Sequence, residues 1–363
     1  MSSSHAERYA VLSRGGIGVS LLCIICFIVN ALPKSMEKKN LIILFVSIFL
    51  GCGLLACQTS TTTEKQKVTP DVVTQPRVVP VFSADSSYAF VKAQTDFGAR
   101  VPNSEAHRLC GNYLATTLER FGAQVTNQYA QLRAYDGTVL NARNIIASWS
   151  PANPNRIFLC AHWDSRHICD EDALPANRAL PVMGANDGAS GVAVLLEIAR
   201  LVAVQQPAVG LDIILFDAED YGHGDVENSF CLGSQYWAMN PHVRPYNAQF
   251  GILLDMVGGK NPVFAKDQVS MYFASDIANK VWERAAQLGY GSLFVSTEGG
   301  GIVDDHYYVN LLAKIPCIDI IHHREGVGFS DTWHTTNDVL ENIDKNTLHA
   351  VGTVVTHVLY ELK

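Results

Sequence analysis

Short apolar runs recur from about residue 86 onward, separated by longer segments in which apolar and polar positions are mixed. Five runs are typical of buried strands, namely residues 144–149, 156–161, 211–216, 251–256 and 317–321. Mixed segments with helical spacing fall between several of them, notably residues 104–121, 191–204, 277–288 and 345–362. Buried strands that alternate with helices predict an α/β domain built around a mostly parallel central sheet with helices on its faces.

The first of these helical segments has clear end signals. Ser104 is a typical N-cap, and Gly122 is a typical stop after the last periodic residue. The spacing predicts one apolar face formed by Leu109, Tyr113, Leu114, Leu118 and Phe121.

A different pattern precedes the domain. Residues 36–40 form a short basic start, and the apolar run 41–56 ends in Leu-Leu-Ala directly before Cys57. This order is typical of a secretory signal, and the cysteine after Leu-Leu-Ala resembles the bacterial lipoprotein box. The resemblance implies that Cys57 is lipidated and becomes the first mature residue. An uncleaved membrane anchor is the alternative, although a run of about 16 residues is slightly short for a span.

The leader sets the predicted organisation of the chain. Another apolar run, residues 16–32, precedes Met36, so residues 1–35 are either an extension upstream of the true start or a genuine first hydrophobic helix; we favour the extension. Residues 57–87, rich in Thr, Gln, Val and Pro, predict a flexible tether. We therefore expect a signal peptide over 36–56, a tether over 57–87 and a catalytic domain over 88–363. The domain is expected to be exported and lipid-anchored, facing the periplasm or the cell exterior.

Composition and charge narrow the classes of function. Apolar residues make up 48% of the 363 residues and charged residues 17%, which excludes wholesale disorder and collagen-like repeats. The net charge is −8, and residues 57–363 hold 22 basic and 33 acidic side chains. An acidic body argues against a nucleic-acid partner. Five cysteines follow Cys57, in spacings that match no cysteine-based zinc motif, and their pairing cannot be assigned.

Acidic and imidazole side chains follow the strand-like runs. His162 and Asp164 come after 156–160, and strand alternation puts both on one side. Asp187 lies in a segment of small residues ahead of a helix. The remaining candidates are Glu219, Asp220, Asp255 and His334.

Each of these residues alone has a structural explanation, such as a helix cap for Asp187 or a core histidine for His162. As a set they are harder to explain, because the carboxyl ends of the strands meet at one edge of a sheet. Crowded carboxylates would repel one another unless a cation joined them. Oxygen and nitrogen ligands suit zinc, and a catalytic zinc keeps one position open.

The ordered series HWD, GANDGASG, DAED, LLDMVGG, VDDH and TWHTTND resembles the zinc-dependent glutaminyl cyclases. These enzymes share a fold with zinc aminopeptidases that use two metal ions. The similarity covers about residues 86–363. It implies a mixed central sheet sandwiched by helices, one zinc ion per chain, and conversion of N-terminal glutamine in peptides or proteins to pyroglutamate with release of ammonia.

The resemblance also implies a metal centre and an acid/base. Asp187, Asp220 and His334 match the zinc ligands, and Glu219 matches the general acid/base. The cyclases of animals have two glutamates where this chain has Glu219 and Asp220, so one ligand arm is shorter by a methylene.

Four further residues match the substrate pocket. Asp255 and Asp304 match a carboxyl pair that shares a hydrogen bond near the substrate amine, and Phe329 and Trp333 match aromatic pocket walls. A pocket tryptophan of the animal enzymes has no counterpart in residues 221–225, and their disulfide beside the site has no matching cysteine pair.

Two other functions stay open. His162, Asp187 and Asp255 could hold a second ion, with Glu219 activating a bridging water as in a di-zinc aminopeptidase. Asp304 favours the cyclase, because a proton shared with Asp255 would leave Asp255 a poor metal ligand. Acids at a helix N-terminus are the structural alternative for Asp304 and Asp305. The last possibility is a binding module that keeps the fold without turnover.

Overall fold

The computed structural model describes residues 78–324 and 326–363. The predicted N-terminal extension, the signal peptide with Cys57, and most of the tether lie outside the described residues. Within the part of the chain that is described, no helix is both long and apolar enough to cross a membrane.

A six-stranded sheet forms the centre of the domain. Its strands are β1 (Gln124–Arg133), β2 (Val139–Trp149), β3 (Arg156–His162), β4 (Gly210–Phe216), β5 (Gly251–Asp255) and β8 (Cys317–Ile321), and the short strands β6 (Phe264–Lys266) and β7 (Phe294–Glu298) pair separately. The order in the large sheet is β1-β2-β4-β3-β5-β8. β1, β2 and β4 pair antiparallel, whereas β4, β3, β5 and β8 are parallel neighbours. The predicted mixed, mostly parallel α/β sheet is confirmed.

Helices cover the sheet. They are α1 (Ala84–Thr95), α2 (Glu105–Arg120), α3 (Ala189–Val204), α4 (Leu232–Met239), α5 (Gln268–Gln287), α6 (Asp305–Tyr308) and α7 (Lys345–Tyr360). Because side chains alternate along each strand, they contribute to two separate apolar layers, one on each face of the sheet. In β3, Ile157 and Leu159 belong to the layer under α3 and α7, while Phe158 and Cys160 face Trp237 of α4 on the other side.

All five predicted strands and all four predicted helices are present, with shifts at their ends. Within α2 the predicted apolar face is partly wrong, because Leu109 is 39% exposed while Cys110 is buried beside Leu114 and Leu118. The edge strand β1 was not predicted from the sequence. Its residues alternate between exposed and half-buried, so they leave no apolar run to recognise.

The folded domain begins earlier than the tether composition indicated. Ser83 caps α1, which starts at Ala84, and Phe82 is buried against α7. Residues 82–87 therefore belong to the domain, and the predicted tether end at residue 87 was placed too late. The single buried ring of Phe82 anchors this segment. One apolar residue does not produce the helical or strand periodicity by which the sequence would reveal a folded segment.

Candidate active site

Asp187, Asp220 and His334 form a group whose ligand atoms all lie within 4.8 Å of one another. His334 Nε2 lies 3.2 Å from Asp220 Oδ1 and 3.7 Å from Asp187 Oδ2. Asp220 Oδ2 is buried and has no hydrogen-bond partner among residues 78–324 and 326–363. Two carboxylates and one imidazole, with the Asp220 Oδ2 atom still available as a ligand, are a donor set that fits zinc.

A second group shares Asp187 with the first. His162 Nε2 lies 2.9 Å from Asp187 Oδ1 and 3.1 Å from Asp255 Oδ1, and these three residues could also hold an ion. The other ring nitrogen of His162 lies 3.5 Å from Asp164 Oδ1, as strand alternation predicted. The geometry therefore contains ligands for two adjacent metal positions.

The segment between β3 and α3 positions Asp187. The Asp338 carboxylate accepts hydrogen bonds from the backbone N–H groups of Asn186 and Asp187, at 2.7 and 3.1 Å. A Cβ on Gly188 would lie 2.4 Å from the carbonyl oxygen of His162. Only glycine therefore allows these two backbone segments to approach so closely. Asp338, the last residue of the TWHTTND motif, thus has a positioning role that sequence reasoning missed.

Glu219 and Asp220 follow β4 and are held from β3. Their backbone N–H groups donate to the two carboxylate oxygens of Asp164, at 3.1 and 3.2 Å. Four non-glycine residues beside the site have positive φ: Ala218 (+53°), Cys231 (+58°), Met256 (+47°) and His334 (+54°). Such backbone strain is characteristic of functional sites, where the surrounding structure maintains it.

Asp170 and Arg166 orient His334, and no sequence signal identified either of them. Asp170 Oδ1 lies 3.3 Å from His334 Nδ1, so the Nε2 atom of the ring is left for the metal group. Arg166 donates two hydrogen bonds to Asp170, at 2.8 and 2.6 Å, and a third to the carbonyl oxygen of Asp220. A carboxylate behind a ligating histidine fixes the ring and raises its basicity.

The electrostatics of the group reflect its crowded charges. Burial raises the pKa of Asp187 to about 6, and the charges of Asp220 and Asp255 add to the shift. Burial would lower the pKa of His334, but Asp220 and Asp170 outweigh it and raise this pKa to about 9. Buried groups of this kind need protons or a divalent cation for balance, and metal binding releases such protons.

Glu219 lies beside the first group without belonging to it. Its Oε1 accepts a hydrogen bond from Cys231 Sγ at 3.2 Å. Burial raises the pKa of Glu219 well above its ordinary value; His162 opposes this shift, and Asp220 and Asp304 reinforce it. A carboxyl group with a raised pKa can both accept and return a proton near neutral pH.

Asp255 and Asp304 do not form the predicted hydrogen bond. Asp255 pairs with His162, whereas Asp304 Oδ1 accepts from the backbone of Asp305 and caps α6. Asp304 Oδ2 is buried with no partner among the described residues. Burial and the charge of Asp255 raise the pKa of Asp304 to about 6. The two carboxyls influence each other by charge. Both acids lie at the N-terminus of α6, Asp304 as its N-cap and Asp305 in its first turn, so the helix-terminus alternative holds for both positions.

All eight predicted site residues line one cavity of about 260 Å³. The rings of Phe329 and Trp333 are 4.7 Å apart, and Trp333 stacks on His334 at 3.8 Å. Phe230 forms a further aromatic part of the wall, under the guanidinium of Arg166. Residues 221–225 offer no tryptophan, and sequence reasoning missed this ring because it comes from residue 230.

Comparison with known proteins identifies the family. The model of peptidase family M28 matches residues 144–359, which is more than half of the chain and includes most of the residues described above. The chain belongs to peptidase family M28.

Solved structures and curated relatives extend this assignment. A glutaminyl cyclase from Bacteroides thetaiotaomicron, solved with N-acetylhistamine bound, is 57% identical and superposes with a TM-score of 0.78 over 79% of this chain and all of that one. A protein described as a leucine aminopeptidase precursor from the same organism is also 57% identical, with a TM-score of 0.77 over 79% of this chain and 99% of that one.

The bovine glutaminyl-peptide cyclotransferase is a more distant relative. It is 25% identical over 240 residues, which is 58% of this chain and 64% of the bovine protein, so the match spans slightly less than two thirds of that relative. The resemblance to glutaminyl cyclases that the ordered motifs predicted is confirmed at the level of family and fold.

Proposed function

We propose that this chain is a zinc-dependent glutaminyl-peptide cyclotransferase, an acyltransferase that converts an N-terminal glutamine to pyroglutamate and releases ammonia. The observation that carries the proposal is the cavity in which Glu219 lies beside the group Asp187, Asp220 and His334 without belonging to it. The 57% identity to the Bacteroides glutaminyl cyclase supports it.

Asp187, Asp220 and His334 would hold one zinc ion per chain. When bound, the zinc supplies Lewis-acid polarisation of the substrate's γ-carboxamide. The reaction itself is intramolecular, since the α-amine attacks the γ-carbonyl carbon of the same residue. The protein therefore has to fold the glutamine side chain back on itself and manage the protons.

Glu219 would carry the proton between the two nitrogens. It takes a proton from the α-amine as the new C–N bond forms, and returns it to the amide nitrogen as the old C–N bond breaks and ammonia leaves. Asp220, the adjacent residue, is fixed by its hydrogen bond to Asp164, so Glu219 is carried on a rigid turn.

Asp304 and Asp255 would bind the substrate amine. Asp304 and Asp255 both line the cavity, and the buried Oδ2 of Asp304 has no hydrogen-bond partner in the described part of the chain. Trp333 and Phe329 would close the cavity against water and contact the first side chains of the peptide. Both roles use residues that line the cavity with Glu219.

A di-zinc aminopeptidase is the second candidate, because His162, Asp187 and Asp255 could hold another ion. The missing hydrogen bond between Asp255 and Asp304 removes one argument against it. Asp304 lies outside the group His162, Asp187 and Asp255, and its buried Oδ2, which has no partner among the described residues, can accept a hydrogen bond from a substrate amine.

One assay separates these functions. The purified protein is incubated with a glutamine-first peptide, and ammonia, peptide mass and free amino acids are measured together with zinc per chain. We expect ammonia release, a mass loss of one ammonia, and one zinc ion. Release of free amino acids with two tightly held zinc ions would instead identify the aminopeptidase, and neither activity would indicate a binding module. N-acetylhistamine should inhibit cyclisation competitively.

We also propose that the domain is exported and anchored to a bacterial membrane through lipid on Cys57. The signal-like segment 36–56 and the cysteine after Leu-Leu-Ala support this location. Full-length protein should incorporate labelled fatty acid and partition into detergent, and Cys57→Ser should abolish both. Unchanged labelling of the variant would refute the anchor.

A further inference from the structure

A cavity of about 340 Å³ adjoins the proposed active site. Its lining includes Lys260, Arg324, His322 and Asp331, and it shares Phe329 with the active-site cavity. We call it the basic cavity. The Phe329 ring lies 4.7 Å from the Trp333 ring beside the metal group, so the two cavities meet at Phe329.

The basic cavity has the opposite charge sign to the protein as a whole. Among the described residues that line it, the charged ones are Lys260, Arg324 and Asp331, whereas the whole chain has a net charge of −8. His322 adds no charge at neutral pH, because burial and Arg324 lower its pKa to about 4. These described lining residues therefore sum to one positive charge, in a concave surface.

Both cations are held in place by neutral oxygens. Lys260 Nζ donates to the carbonyl oxygen of Glu341 at 3.0 Å and to the amide oxygen of Asn342 at 3.1 Å. Arg324 Nη2 donates to the carbonyl oxygen of Asn261 at 3.0 Å. These contacts orient the cations without neutralising them, and each cation has donors left for an anionic ligand.

We propose that the basic cavity binds an acidic group of the peptide substrate, downstream of its N-terminal glutamine. The inference rests on the proposed cyclase function, and it adds a preference for peptides with an aspartate, a glutamate or a free carboxylate close to the first residue. The continuity through Phe329 and the charge complementarity carry it.

The test uses full-length protein and C-terminally amidated peptides that begin with glutamine. One glutamate is placed at the second, third or fourth position, and each peptide has counterparts with glutamine or lysine there. Ammonia release provides kcat/KM. At one or more positions we expect glutamate to be favoured over glutamine by about two- to fivefold, the range of exposed charge pairs. The preference should shrink in high salt.

Variants connect the preference to the cavity. Lys260→Gln and Arg324→Gln should each reduce the ratio of kcat/KM between the glutamate and glutamine peptides, and Lys260→Glu should reverse it. Asp331→Asn should increase it. Lys280→Gln makes the same charge change on the exposed surface of α5, away from the cavity, and should have no effect.

Two results would overturn the inference and are distinguishable. Turnover of neutral peptides without any preference for glutamate would refute the basic cavity alone. The same conclusion would follow if the cavity variants kept the full preference, as the Lys280→Gln control is expected to do. Absence of ammonia release from every glutamine-first peptide would refute the proposed function and this inference with it.

Discussion

At the scale of single residues, Glu219 is the most direct test of the chemistry. Replacing it with glutamine preserves its size and removes the proton carrier, so we expect kcat to fall by about 100-fold or more while zinc stays bound. The measurements are ammonia release and elemental analysis. Glu227→Gln, an exposed acid on the same loop, is the matched control and should keep full activity. Normal turnover by Glu219→Gln would remove this residue from the acid/base role.

Asp170 tests the support of the metal group. Because its carboxylate lies 3.3 Å from His334 Nδ1, Asp170→Asn should weaken zinc binding by about 10- to 100-fold, as other carboxylates behind ligating histidines do. Competition with a chelator measures this affinity. His334→Ala should lose zinc entirely, and Glu171→Gln should bind it normally. An unaltered zinc affinity in Asp170→Asn would contradict the proposed orientation of the imidazole.

At the scale of elements, the site depends on close approaches between the segments that follow the strands. Gly188→Ala would put a methyl carbon 2.4 Å from the carbonyl oxygen of His162, at the end of β3. The backbone that carries Asp187 must then shift, so zinc and activity should be lost together. Gly291→Ala is the control, since a methyl group there meets only ordinary contacts at 3.7 Å. Full zinc content in Gly188→Ala would show that the ligand geometry tolerates this shift.

At the scale of the whole molecule, the start of the domain is held to its end. Phe82 is buried beside Gly352 of α7, and the backbone N–H of Ser83 donates to Glu197 of α3. Phe82→Ala should lower the free energy of unfolding by about 3–5 kcal/mol, measured by denaturant titration. Tyr272→Ala removes a ring that is 82% exposed and should have little effect. Equal losses in both variants would contradict the docking of this segment.

The amino-acid sequence by itself determined the architecture and the inventory of chemical groups. Buried strands with apolar residues on both faces leave continuous runs, as in β3, and these can be read without tertiary contacts. The ordered motifs, through their resemblance to the glutaminyl cyclases, indicated Asp187, Glu219, Asp220 and His334 as one site, and the shared edge at which parallel strands end explains the position of Glu219 and Asp220 after β4.

Only the tertiary structure decided which groups touch. Asp170 and Asp338 are ordinary acids in the sequence, and they become supports of the metal group because distant loops fold against it. Asp255 turned to His162 rather than to Asp304, a choice set by side-chain packing that spacing along the chain does not encode. Contacts between side chains far apart in sequence depend on their distance in three dimensions. The sequence pattern does not contain these distances, so the contacts within the site could be established only from the folded structure.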